Sequence, residues 1–121
     1  MFDVGPNGEL ELTQGNTGEV GIVAFDNEGV PIVPENGDRV VFKVMSGGKV
    51  AVKKVLTADD WDDIEKAFIL RLEPEDTENL PAMAYKYDCM YVWPNGDAKT
   101  FINCNVFEIL EAIAKKGDAD G

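Results

Sequence analysis

The sequence predicts an all-β protein, an antiparallel sandwich of about seven strands. Three observations predict it. Apolar residues mostly alternate with polar ones, the period of a strand that buries one face. Turn-forming clusters separate the alternating segments: Gly15-Asn16, Asn27-Glu28-Gly29, Asn36-Gly37-Asp38, Ser46-Gly47-Gly48, Pro74-Glu75-Asp76 and Asn95-Gly96. Short strands with turns at this spacing are the pattern of two stacked antiparallel sheets.

The strands follow in order. Leu10 and Leu12 alternate with Glu9, Glu11 and Thr13 in the first, and Val20, Ile22 and Ala24 mark the second. Pro31 and Pro34 place residues 30–34 at a sheet edge, because proline cannot donate to a ladder. Val40, Phe42 and Val44 form the third strand, Val50 and Val52 the fourth, and Phe68, Leu70 and Leu72 the fifth. Tyr87, Cys89 and Tyr91 form the sixth, and Ile102, Cys104 and Val106 the seventh.

Two hairpins fix a register. A two-residue turn at Asn95-Gly96 pairs Asp97 with Pro94, Ile102 with Cys89 and Cys104 with Tyr87, which puts the apolar partners on one face. At the glycine pair, a two-residue turn would set Phe42 opposite Lys53. A three-residue loop, Ser46 to Gly48, instead pairs Phe42 with Val52 and Val44 with Val50, and is preferred. Arg39, Lys43, Lys49 and Lys53 then take the opposite parity and line an outer face, a weak contact surface or a wet face with edge-protecting lysines.

Two segments read as helical. "TADDWDDIEKAF" has Thr57 as a cap, acids in its first turn, and Trp61, Ile64 and Phe68 at helical spacing, enough for a turn or two. "VFEILEAIAKKG" starts as a strand and then takes helical spacing, with Lys115 and Lys116 late and Gly117 as the stop. This divides the chain into a sandwich over residues 1–110 and a short helix with a disordered tail over 111–121. No repeat, linker or low-complexity tract interrupts it.

The 121 residues suit one domain with a single core, and the net charge of −12 with only two arginines, Arg39 and Arg71, argues against nucleic acid as a partner. No apolar run approaches the roughly 18 residues of a membrane span. The opening "MFDVGPNGEL" lacks the basic start and apolar core of a signal peptide, so synthesis in the cytoplasm and use without cleavage are expected.

Little in the composition favours catalysis, and no cofactor is expected. Histidine is absent, and the single serine, Ser46, lies on a hairpin tip without a candidate base. Cys89 and Cys104 are expected to be reduced, buried and inert, too far offset diagonally for a good disulfide. The acidic run "ADDWDDIE" suggests calcium, but counted from Asp59 it puts Trp61 third and Ile64 sixth, where an EF-hand loop needs a ligand and a glycine. Glu73, Glu75, Asp76 and Glu78 could supply paired carboxylates for glycoside cleavage, yet a small sandwich has little material for a substrate groove.

Four stretches carry a resemblance. "LELTQGNTGEVGIVAFDNEGVPI", "ENGDRVVFKV", "FILRLEPEDTENLPAMAYKYDCMYVWPNGD" and "NVFEIL" occur in that order over residues 10 to 110. Together they resemble the immunoglobulin-like N-terminal domain of phage baseplate upper proteins and related small virion proteins of phages and prophages of Gram-positive bacteria. Asn16 stands where that family usually has aspartate, and the insert at 58–67 is unusual for it. The resemblance implies an immunoglobulin-like sandwich and a virion structural role, in tail or baseplate, with no catalytic residue. Under it, Phe42, Val44, Leu70, Leu72, Tyr87, Cys89, Tyr91 and Cys104 form the core, Leu80 plugs it from the crossover after Pro74, and the tyrosine hydroxyls reach the rim.

The expected partners are other copies of the chain or other virion proteins, rather than a membrane or a small molecule. Ile109, Leu110 and Ile113 give the C-terminal segment an apolar side, and self-association through it and through open sheet edges is expected, opposed by net charge at low salt. The alternative from another class is a carbohydrate-binding or adhesin-like module, with Trp61 and Trp93 as stacking residues.

Overall fold

The computed structural model describes residues 2–114 and 118–119. Nine strands are placed among them: β1 Asp3–Val4, β2 Leu10–Thr13, β3 Gly18–Ile22, β4 Arg39–Ser46, β5 Lys49–Thr57, β6 Trp61–Asp62, β7 Ala67–Leu72, β8 Ala84–Val92 and β9 Ala98–Leu110. One turn of helix, α1, spans Pro74–Thr77. The strands form an all-β sandwich, with a six-stranded sheet in the order β1-β2-β9-β8-β4-β5 and a three-stranded sheet in the order β3-β7-β6. In this order β3, β7 and β6 stand where immunoglobulin domains carry strands B, E and D, and β4, β8 and β9 where they carry C, F and G.

Burial follows the period of two. Val40, Phe42 and Val44 of β4, Leu70 and Leu72 of β7, and Tyr87, Cys89 and Tyr91 of β8 all point between the sheets and are buried. Leu80 is partly buried and packs against this core. The aromatic centre is continuous: Phe42 lies 5.5 Å from Tyr87 and 6.2 Å from Phe107, ring centre to ring centre.

Several expectations are corrected. The sandwich is not purely antiparallel, because β2 runs parallel to β9, Leu10 opposite Phe107 and Leu12 opposite Ile109. The hairpin at Gly47-Gly48 is a two-residue turn with Ser46 opposite Lys49, both glycines in the left-handed region that such a turn requires. A bulge at Ala51 then restores the parity, so Phe42 faces Lys54 and Val44 faces Val52. It also leaves Lys49 opposite Ser46 at the hairpin tip rather than on the outer face.

The hairpin between β8 and β9 has a three-residue loop, Pro94 to Gly96, closed by Trp93 N donating to Asp97 O at 2.9 Å. Ile102 does pair with Cys89, but Tyr87 pairs with Asn105, because β9 bulges twice. Cys104 sits on the second bulge at φ 51 and is exposed, so it is not a core residue. Beyond it the inward parity passes to Phe107 and Ile109, both buried.

Neither helical expectation holds as stated. Thr57 caps a 3-10 turn, Ala58–Asp60, after which the chain becomes strand β6, with Trp61 opposite Phe68. Ile64 therefore lies on a turn between β6 and β7 and is 90% exposed. At the C-terminus β9 runs on to Leu110, residues 111–114 are irregular, and Ile113 is 96% exposed. The expectations for Lys115 to Gly117 and for Asp120 and Gly121 lie outside the described residues.

Candidate functional site

The tyrosines of β8 tie loops to the core. Tyr91 donates its hydroxyl to Asp38 Oδ2 at 2.6 Å, and both residues are buried. Tyr87 donates to the carbonyl of Gly8 at 2.6 Å, and Tyr85 to that of Pro81, also at 2.6 Å. The last contact, four residues back along the chain, is the geometry of a tyrosine corner. Burial is the main cause that pushes all three phenols up, Tyr87 to about 12. Asn105, turned inward by the bulges, donates to the Asn7 carbonyl at 2.9 Å and pins the same loop as Tyr87.

The acidic runs have structural tasks. Asp60 Oδ2 accepts from Thr57 N at 2.8 Å, and Asp62 Oδ1 accepts from Ile64 N and Glu65 N at 2.8 and 3.0 Å. Asp63 pairs with Lys66 at 2.9 Å. In the second run Asp76 Oδ2 accepts from Glu73 N at 2.8 Å and meets Lys54 at 2.9 Å, which ties α1 to β5. Among the described residues no three acidic or cysteine side chains converge as a metal site. Cys89 is buried and its thiol is pushed up to about 12, first by desolvation and then by Asp88. A thiol this hard to ionise is a poor nucleophile.

Of the apolar residues expected to mediate contact, Ile109 is a core residue at 1% exposure, Leu110 is partly buried, and only Ile113 is open. The outer face of the six-stranded sheet carries a larger apolar row. Val55, Val41 and Met90 lie side by side across β5, β4 and β8. Arg39 flanks this apolar row on one side, and Lys43 and Lys53, directly opposite each other, flank it on the other. Asp88 stands directly opposite Lys43 on that flank, and Lys86 shares the face one row further along. Among the described residues none of these four cations has an ion pair or a hydrogen bond. The sequence parity of Arg39, Lys43 and Lys53 anticipated the face; Lys86, Val41, Val55 and Met90 were legible from the same parity but were not singled out.

The outer face of the three-stranded sheet is net acidic, with Glu19 paired to Arg71 at 3.0 Å. Glu19, Asp62 and Glu65 rim a shallow depression of about 470 Å³ floored by Gly21, Ala67 and Ile69. A further open groove of about 540 Å³ lies at one end of the sandwich between the Asp26-Asn27 turn and the Trp93–Asp97 hairpin, with Trp93 and Lys99 in its wall. Trp93 packs on Tyr91 with ring centres 4.8 Å apart. Trp61 is half-buried on the core, with Lys66 Nζ 5.5 Å from its ring centre.

No protein-family model, curated protein or solved structure matches the chain.

Proposed function

We propose that the chain is a non-enzymatic structural protein of a phage or prophage virion, of tail or baseplate, that works by docking to protein surfaces. The observation that carries the docking part is the outer face of the six-stranded sheet. Arg39, Lys43 and Lys53 flank an apolar row there and Lys86 lies one row beyond, so that with Asp88 beside Lys43 the face is net basic on a chain whose net charge is −12. Such a face fits a partner that is apolar at its centre and acidic around it. The virion part rests on the sequence resemblance. It is supported by the strand order and by the Tyr85 corner, both features of immunoglobulin-like sandwiches. The test is quantitative mass spectrometry of particles purified from the source cells after prophage induction. The chain should be present at several copies per particle, and its presence in the lysate but not in the particles would reject the virion role.

A second reading, a carbohydrate-binding module, is favoured by the end groove, where Trp93 stands among Asp26, Asn27, Asn95 and Asp97. A glycan there would shift the tryptophan fluorescence, and saturable shifts lost in Asn95→Ala would favour this reading over docking.

A further inference from the structure

We propose that copies of this chain associate head to tail, the turn around Ile64 on one copy seating on the outer face of the six-stranded sheet of the next. The proposal rests on the docking part of the function above and names the partner and the contact.

The donor is an apolar knob inside an acidic patch. Ile64 is 90% exposed, Asp63 and Glu65 flank it in sequence, and Glu19 and Asp62 lie on the same outer face of the three-stranded sheet; Asp63 is paired with Lys66 and Glu19 with Arg71, so these carboxylates outnumber the two cations among them and leave the patch net acidic. The turn that carries it is held at both ends. Asp62 Oδ1 accepts from Ile64 N and Glu65 N, and Lys66 N donates to the Asp62 carbonyl at 2.8 Å. A knob already fixed in shape loses little conformational freedom on docking.

The receiver has the complementary pattern. The row of Val55, Val41 and Met90 is apolar, with Lys53, Lys43 and the single carboxylate Asp88 on one side and Arg39 on the other, a net basic surround. Seating Ile64 on the row brings the carboxylates beside it within reach of those cations, and removes apolar surface from water on both copies.

Charge also sets the symmetry. Two copies joined through the same face would oppose lysine to lysine on the basic side, or carboxylate to carboxylate on the acidic side. Contact between unlike faces avoids both. The two faces belong to opposite sheets of the sandwich, so each copy can give and receive at once. Such a heterologous contact repeats into a ring or an open stack.

Two variants of the full chain test this by sedimentation velocity. Ile64→Ser/Glu65→Gln removes the knob without adding a cation that a reversed face could attract, and keeps the receiving face. Arg39→Glu/Lys53→Glu reverses the receiving face and keeps the knob. The wild type should sediment faster as its concentration rises, and each variant alone should associate at least about tenfold more weakly. Mixed one to one, the variants should form a dimer and nothing larger, since each supplies the half the other lacks and neither can extend. That mixed dimer also shows both variants to be folded. A wild type that stays monomeric, a variant that associates as the wild type does, or a mixture without a dimer would each overturn the proposal. A chain absent from particles would reject the virion role while leaving this result unchanged.

Discussion

Tyr91→Phe removes one oxygen from the middle of the sandwich and nothing else. The ring keeps its contacts, 6.1 Å from Phe68 and 4.8 Å from Trp93, so no cavity opens. The lost hydroxyl donates at 2.6 Å to Asp38 Oδ2, and Asp38 is only 4% exposed. That oxygen keeps one longer partner, Glu35 N at 3.1 Å. A hydrogen bond to a buried carboxylate contributes roughly 1.5–3 kcal/mol, and the acceptor left behind cannot turn to water, so a loss of about 2 kcal/mol is expected. Tyr85→Phe is the control. Its acceptor is the neutral Pro81 carbonyl, and about 1 kcal/mol is expected there. Urea unfolding of the three proteins measures both, with equal m-values required for the comparison. The double variant with Asp38→Asn should cost less than the sum of the single changes, because the two groups form one pair. A Tyr91→Phe cost below about 0.5 kcal/mol, or no larger than that of Tyr85→Phe, would refute the reasoning.

Three further outcomes are expected. A thiol reagent should label Cys104 quickly in the native protein and Cys89 only on unfolding, so two fast thiols would contradict the burial of Cys89. Cys104→Gly should stabilise the fold by up to about 1 kcal/mol, because φ 51 strains a residue with a Cβ, and a clear loss of stability would contradict the bulge. Stability should be level up to pH 9 and then fall towards pH 12, since Cys89 rises from its ordinary 9.0 to about 12 and Tyr87 from 10.0 to about 12. Both groups stay neutral in the fold while the unfolded chain ionises first, so each lowers stability by up to about 1.4 kcal/mol per pH unit across that window. Cys89→Ala should flatten the first part of the fall, and an unchanged slope would reject burial as its cause.

What the sequence made legible is the alternation in β4, β7 and β8, where every second residue, Val40, Phe42 and Val44, then Phe68, Leu70 and Leu72, then Tyr87, Cys89 and Tyr91, lands in the core. Alternation reports a face directly, because successive side chains of a strand point to opposite sides. It fails where a strand takes in an extra residue. Ala51 has no glycine or proline to mark its bulge, and in β9 the apolar set changes from the even positions Ile102 and Val106 to the odd positions Phe107 and Ile109. That change of parity was the available signal, and it accounts for the misplacement of Cys104. The parallel pairing of β2 with β9 left no trace, because Leu10 and Leu12 face the core whichever neighbour they have. At 57–68 the cap at Thr57 was right, but Trp61, Ile64 and Phe68 fit helical spacing only by coincidence: Trp61 and Phe68 meet across a strand pair. The basic flanks of the six-stranded sheet were half visible as the parity of Arg39, Lys43 and Lys53. The exposure of Ile64 was not, because it depends on a turn whose residues also fit helical spacing.

The claim that this chain works through the outer faces of its sheets meets its most direct test in zero-length cross-linking of a mixture of unlabelled and nitrogen-15-labelled full-length protein. Carbodiimide joins a lysine to a carboxylate only when the two touch, and mixed-isotope products identify links between copies. The account predicts mixed-isotope links from Lys53 or Lys43 to Asp63 or Glu65. Links between copies confined to the C-terminal residues beyond Leu110, or no links between copies at concentrations where the protein associates, would contradict it.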